Sequence, residues 1–310
     1  MTTLWDLMRG AMVTKALGAA ADLRLADALA DGPRPVAELA QAAGADGDNL
    51  HRILRALASE GVFAEDEPGV FRNTELSEGL RSDEAHAFAH LFGSVFYDAI
   101  GTLDANAAEE TFSRRFNTDF WSWLDARPAE RAAFDAAMAG GKDRPADRLA
   151  GLDWHDGTVV VDVGGGNGAL LRALLERRPE LRGIVLDLPE TVRDEAALGD
   201  RIEFVAGSFF DSVPTGDTYV LSGILHDWSD ERAGAILRTI SRDAPKQARL
   251  LVLENVLEHG NEPNGAKWLD LLMLVLGGRE RTAADWRALL ADAGFEITAV
   301  EDGLVQAVCR

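Results

Sequence analysis

Thr158-Val-Val-Val-Asp-Val-Gly-Gly-Gly-Asn-Gly168 decides how the rest of this chain is read. Four β-favouring residues run into an acid and a glycine-rich bend, and a helical segment opens behind it. That is the strand, turn and helix of a nucleotide-handling α/β unit. Two later stretches belong with it, Val185-Leu-Asp-Leu-Pro189 and Leu225-His-Asp-Trp228.

The glycine loop alone admits two cofactor readings. Gly164-x-Gly166-x-x-Ala169 satisfies the dinucleotide fingerprint, and Asp187 lies 187 − 166 = 21 residues past the middle glycine, where an acid holds a ribose. Asp162 tilts the reading away from NAD, because its charge before the bend repels a pyrophosphate but suits the aminoacyl end of a cationic cofactor. The C-terminus adds a second discriminator. Phe295-Glu-Ile-Thr-Ala-Val300 and Leu304-Val-Gln-Ala-Val-Cys309 are strand-like runs joined through Glu301-Asp302-Gly303, a hairpin signal. An antiparallel strand closing an otherwise parallel sheet is expected of the class I methyltransferase variant of this Rossmann-like architecture.

From Thr158 onward strands and helices alternate as a doubly wound sheet requires. The patterning predicts strands at 158–163, 182–186, 202–206, 217–222 and 249–254 and helices at 168–178, 229–243 and 282–294. Asp162, Asp187, Ser208, His226 and Glu254 then fall at or just beyond strand ends, where ligands of such sheets bind. Upstream, residues 4 to 30 read as helix with an apolar stripe of Leu4, Met8, Met12 and Ala16 that a second subunit is expected to cover. Residues 35–43 and 49–58 then form a helix-turn-helix pattern, followed by a hairpin-like wing from Val62 to Arg72. The division expected is a winged-helix-like dimerisation domain at 1–95, a helical, aromatic-rich linker and pocket segment at 96–145, and a cofactor-binding catalytic domain at 146–310.

With 310 residues, 47% of them hydrophobic, the chain can bury a full core. Its formal charge is 31 − 52 = −21. Residues 1–95 carry 8 basic and 15 acidic side chains, a net of −7, so a groove-reading role for His51, Arg52 and Arg55 lacks the phosphate attraction that supplies most nucleic-acid affinity. Neither nucleic acid nor a membrane is expected as partner. One cysteine, Cys309, excludes an internal disulfide and reads as a small apolar residue of the last strand. The N-terminus lacks a signal-peptide pattern, and a cytoplasmic location is expected. No metal is called for.

Taken together, Asp162-Val-Gly-Gly-Gly-Asn-Gly168, Asp187-Leu-Pro189, Gly207-Ser-Phe-Phe210, His226-Asp-Trp228 and Gly277-Gly-Arg-Glu-Arg-Thr282 resemble the S-adenosylmethionine-dependent O-methyltransferases of small-molecule metabolism. That family contains plant caffeate-type and bacterial polyketide-tailoring enzymes, and the resemblance covers nearly all of the chain. It implies S-adenosyl-L-methionine as cofactor, held by Asp162, Gly164, Gly166, Asp187, Leu188, Ser208, Phe209 and Ser222. Plant members carry Asp and Met where this chain has Ser208 and Phe209. It further implies a homodimer, with the N-terminal module serving dimerisation.

Methyl transfer from a sulfonium to a phenol, whose pKa is near 10, needs a base at neutral pH, and histidine suits that role. The resemblance places the base at His226 and its flanking acids at Glu254 and Glu280. The acceptor, an aromatic small molecule, is implied to meet Phe134, Met138, Asp227, Asp270 and Met273, with Trp268, Leu271, Leu272 and Val275 on the same pocket helix. Asp227 also reads as an N-cap of the helix that follows. Arg279 and Arg281 are read as solvated or paired with acids. Some relatives use the bound cofactor to assist hydroxylation, decarboxylation or pericyclic steps, and that alternative stays open.

Overall fold

A computed structural model describes residues 3–105, 111–189, 191, 201–301 and 303–310. The chain folds as two units, Met1–Thr102 with Phe120–Gly140, and Leu103–Asp119 with Gly141–Arg310. The 96–145 stretch, expected as one linker, is thus shared between them.

In the first unit the helix expected over 4–30 is three helices, α1 (Leu4–Met8), α2 (Gly10–Asp22) and α3 (Leu25–Ala28). The second break falls at Arg24, whose φ of 51° is left-handed and stops a helix. There follow β1 (Arg34–Pro35), α4 (Val36–Ala43), α5 (Gly47–Ser59), β2 (Phe63–Glu67), β3 (Val70–Asn73), α6 (Glu75–Gly79), α7 (Asp83–Gly93) and α8 (Val95–Ile100). After α9 (Thr111–Phe116), which belongs to the second unit, come α10 (Phe120–Asp125) and α11 (Pro128–Ala139). Pro35 precedes α4 with extended backbone, and the Asp46 carboxylate caps α5 by accepting from the Asn49 N–H. Leu25, Leu39, Leu50, Leu54 and Phe71 form the core beneath the small sheet, whose order is β1-β3-β2. Helices α2 and α7 cross where Gly18 faces Gly93, so closely that a Cβ on either would lie 2.5 Å from the other's Cα. His90 of α7 joins Asp22 of α2 at 2.7 Å and Glu130 of α11 at 3.1 Å.

The second unit contains α12 (Asp143–Ala150), β4 (Val159–Val163), α13 (Ala169–Arg177), β5 (Arg182–Asp187), β6 (Ile202–Ala206), β7 (Thr218–Ser222) and α14 (Asp230–Asp243). It continues through β8 (Arg249–Leu253), β9 (Val256–Leu257), α15 (Gly265–Leu276), β10 (Arg281–Thr282), α16 (Ala283–Asp292), β11 (Phe295–Glu301) and β12 (Leu304–Cys309). Each expected strand and helix is present within two residues at either end. The seven-stranded sheet has the order β11-β12-β8-β7-β4-β5-β6, and β12 alone runs antiparallel, between β8 and β11. The hairpin expected at the C-terminus is therefore formed, though Asp302 of its turn lies outside the described residues.

Along β4, Val161 and Val163 enter the core on one face and Val160 the core on the other, so the strand is apolar throughout except at Asp162. Cys309 is buried at the end of β12. The strand order reverses between β4 and β7, and the crevice beyond their carboxyl ends is the switch point. Among the described residues no helix is long and apolar enough to cross a membrane.

Candidate active site

The bend after β4 needs glycine for two distinct reasons. Gly164 has φ +73°, and a Cβ there would fall 2.7 Å from Ile224 Cδ1. Gly166 has φ +59° and would meet nothing within 4 Å, so its surface is open to a ligand. The Gly166 N–H donates to Asp187 Oδ2 at 2.7 Å, and the Leu188 N–H donates to Oδ1 at 2.7 Å. These bonds fix the carboxylate beside the loop with lone pairs to spare for hydroxyl donors. Asp162 is buried, and its Oδ2 has no hydrogen-bond partner among the described residues. Burial pushes its carboxyl up to about 7, with Lys142 opposing and Asp187 reinforcing the shift. A buried acceptor without a donor has a lone pair open to a hydrogen bond from a cation such as an ammonium.

A 3-10 turn, Leu225–Asp227, follows β7 and carries His226. His226 Nδ1 lies 2.8 Å from Glu280 Oε1 and 3.7 Å from Glu254 Oε2, while Nε2 lies 3.5 Å from Asp227 Oδ1. Glu254 Oε1 accepts the backbone N–H groups of Ile224 at 2.9 Å and Leu225 at 2.8 Å. Asn255 Nδ2 donates to Glu280 Oε1 at 3.4 Å, and Asp270 Oδ1 accepts the Glu280 N–H at 2.8 Å.

Burial alone would lower the imidazole, but Glu254, Asp227 and Glu280 outweigh it and hold His226 at about 10. Burial raises Asp227 to about 7 against the pull of His226, and it raises Glu254 in the same way. Three carboxyls thus surround one imidazole, an excess of acid that favours a cation nearby. One donor atom each from His226, Glu254 and Glu280 lie within 4.8 Å of one another, close enough to share a divalent ion as well. A separate cavity of about 300 Å³, lined by Trp154, His155, Asp217 and Arg249, lies at the opposite, amino-terminal ends of β4, β7 and β8.

This constellation of glycine bend, ribose-placed acid and acid-bound histidine at one sheet edge has counterparts in known proteins. Residues 96–296 match an O-methyltransferase domain and residues 5–83 an O-methyltransferase dimerisation domain.

The chain belongs to the O-methyltransferase family.

It is 40% identical over 311 residues to phenazine O-methyltransferase PhzM of Lysobacter antibioticus, covering 96% of this chain and 91% of that one. It is 39% identical to the O-demethylpuromycin-O-methyltransferase of Streptomyces alboniger, covering 97% and 84%. The crystal structure of NcsB1 from neocarzinostatin biosynthesis, in complex with S-adenosylmethionine and 2-hydroxy-5-methyl naphthoic acid, superposes with a TM-score of 0.84 at 35% identity, covering 96% of each chain. The protein is an S-adenosylmethionine-dependent O-methyltransferase of the group that tailors aromatic secondary metabolites. The unpartnered Asp162 oxygen, the open Gly166 and the fixed Asp187 fit that cofactor. The NAD reading is thereby set aside.

Within this O-methyltransferase the remaining expected residues have definite places. Ser222 ends β7. Ser208 turns inward on its own loop, its Oγ accepting from the Phe210 N–H at 3.2 Å. Phe209 stands 3.5 Å from the Cβ position of Gly164 and 5.0 Å from the Phe210 ring centroid. Leu188 is partly exposed. Phe134 and Met138 lie on α11 in the first unit, Phe134 packed edge-on to Trp121 at 5.6 Å. Met273 is buried in α15, and its carbonyl accepts the Gly278 N–H at 2.8 Å.

One expectation needs correction. Asp227 is not an N-cap: Ser229 caps α14 by accepting from the Arg232 N–H, while Asp227 lies beside the His226 ring. Trp268 lies on α15 as expected and is 73% exposed. Arg279 and Arg281 both pair with an acid, Asp230, as one of the two readings had it, but the sequence reading missed that Arg281 is fully buried and bonded to the backbone of the His226 turn. Its only signal was its place one residue past Glu280.

Proposed function

We propose that this enzyme methylates a hydroxyl of an aromatic small molecule, with His226 as general base. The observation carrying the reading is the 2.8 Å contact of His226 Nδ1 with Glu280 Oε1. It commits one ring nitrogen to an acid and leaves Nε2 to face the acceptor. The relatives' names, and the naphthoate in the NcsB1 complex, support an aromatic acceptor.

When bound, S-adenosylmethionine supplies an electrophilic methyl group. Asp162 is assigned to its ammonium, Asp187 and Leu188 to its ribose, Ser208 and Phe209 to its adenine, and Gly164, Gly166 and Ser222 to the path of its chain. Asp270 and Met273 are assigned to the acceptor side.

In the ligand-free protein His226 is protonated at neutral pH. The ring acts as a base only once it is neutral, and Asp227, 3.5 Å from Nε2, is placed to receive the proton that leaves. Nε2 then takes the hydroxyl proton as the oxygen is alkylated, while Glu280 holds the ring and stabilises the imidazolium formed. We further propose a homodimer built through the dimerisation domain, since Leu4, Trp5, Leu7, Met8 and Met12 are all more than half exposed in the single chain.

The test is transfer of a labelled methyl from S-adenosylmethionine to a panel of phenols and hydroxynaphthoates. Label is expected in an aryl ether, and His226→Gln is expected to lower kcat by about 10²–10⁴-fold while calorimetry finds S-adenosylhomocysteine affinity within about twofold. Substrate consumed without label transfer would instead establish one of the repurposed chemistries.

A further inference from the structure

Arg281 is the one cation whose guanidinium is fully enclosed among the described residues. Nη1 donates to the Leu225 carbonyl at 2.8 Å, Nη2 to the Trp228 carbonyl at 2.9 Å, and Nε to Asp230 Oδ1 at 3.0 Å. Its plane lies 5.3 Å from the Trp286 ring centroid. The two carbonyls stand on either side of His226 in sequence, so the planar fork grips the turn that carries the imidazole at both ends.

The residue just before β10 is the acid that meets the ring. Arg281, the first residue of that strand, pairs with Val256 of β9. Glu280 reaches the His226 ring, while Arg281 reaches the backbone of the turn that carries it. Two more contacts close the unit. The Arg279 N–H donates to the His226 carbonyl at 2.8 Å, and a Cβ on Gly278 would sit 2.1 Å from that oxygen.

The arrangement is a costly way to gain stability. The guanidinium is wholly desolvated, yet its one acid partner, Asp230, is 51% exposed and shared with Arg279. A buried charge with a half-solvated partner is weak evidence of net stabilisation, and an apolar side chain would fill the same space more cheaply. What an apolar side chain cannot supply is a rigid set of donors aimed at two carbonyls 225 and 228.

We infer that Arg281 is a positioning residue for the base: it fixes the 225–228 turn against the Glu280 strand so that Nδ1 of His226 stays on the carboxylate and Nε2 stays aimed at the acceptor. The inference rests on His226 being the base. A displacement of about 1 Å at a reacting group costs on the order of 10²-fold in rate, which sets the expected size of the effect.

The test is Arg281→Lys in the 310-residue chain, where a single ammonium keeps the charge but cannot span both carbonyls. The primary readout is the proton titration of His226 followed by NMR on protein labelled at its six histidines, with His226→Gln identifying the signal. Wild type is expected to titrate near pH 10. In Arg281→Lys the ring is expected to lose its proton at least about tenfold more readily as Glu280 moves off it. With the acceptor identified by methyl transfer, kcat is expected to fall about 100-fold, with both KM values within about threefold, and the pH–kcat profile to shift as the titration does.

An unchanged His226 titration and pH profile, with turnover lost only in proportion to unfolded protein, would overturn the proposal. Should Arg281→Lys not fold, Asp230→Asn releases one anchor of the fork and is expected to move the titration in the same direction by less, and no movement there overturns it equally. The titration needs no methylation, so a retained turnover in His226→Gln would sink the base while leaving the clamp separately readable.

Discussion

Glu254 and Glu280 face the same imidazole, and their oxygens show that they are not equivalent. Glu280 meets Nδ1 directly, whereas Glu254 spends Oε1 on the backbone N–H groups of Ile224, Leu225 and His226 and keeps only Oε2 near the ring. Glu280→Gln is therefore expected to lower kcat about 10²-fold or more with little loss of Tm. Glu254→Gln is expected to lower both, because it also weakens the cap of the turn; thermal scans beside steady-state kinetics separate the two. The pH response follows from the same acids. His226 is held at about 10, above its ordinary 6.5, so the reactive neutral ring gains population as pH rises from neutrality. Hence kcat/KM at saturating cofactor is expected to climb with pH up to about that value, for an acceptor whose own hydroxyl does not titrate there. A flat profile from pH 7 to 9 would count against the assigned protonation state. The sign for stability is opposite: a raised histidine adds stability below its unfolded value and loses it as pH passes the folded one, so activity and stability part company in the alkaline range.

The elements around the site explain which of its residues could be read in advance. The β4 strand and glycine bend announce themselves because a strand, an acid and four glycines within eleven residues have few other uses, and Asp187 sits at a spacing set by one strand–helix–strand unit. The loop after α15 is different. Gly277 has φ +96° and ends the helix as its sequence suggests, but Gly278 is required only because the loop crosses the His226 carbonyl some fifty residues earlier in the chain. Gly278→Ala puts a methyl where the carbonyl oxygen stands. We expect it to abolish measurable turnover and to destabilise by about 1–3 kcal/mol, the usual cost of overpacking, read as a Tm drop with the far-ultraviolet circular dichroism retained. Asp227 was misread for the same reason: an acid two residues before Ser229 looks like a cap until the ring of its neighbour claims it.

The first unit leaves a row of apolar side chains from Leu4 to Met12 in water, with Trp5 at 62% and Leu4 at 78% exposure, and a single chain has no reason to keep them so. Light scattering is expected to give twice the chain mass of 33.4 kDa, and replacing Leu4, Trp5 and Met8 with serine to shift it toward one chain. Fold class was legible in the amino-acid sequence, because strand periodicity, glycine placement and short motifs are local properties that a chain carries wherever it goes, while the cofactor and the proposed base came from the resemblance of those motifs to a known family. What joins residues 225–228, 254 and 277–282 was not, since hydrogen bonds from a buried guanidinium and the approach of two backbones exist only once distant segments have met. The sequence by itself determined that a nucleotide crevice and a histidine would share one sheet edge; only the tertiary structure decided which acid holds the ring, which holds the turn, and that Arg281 lies behind both.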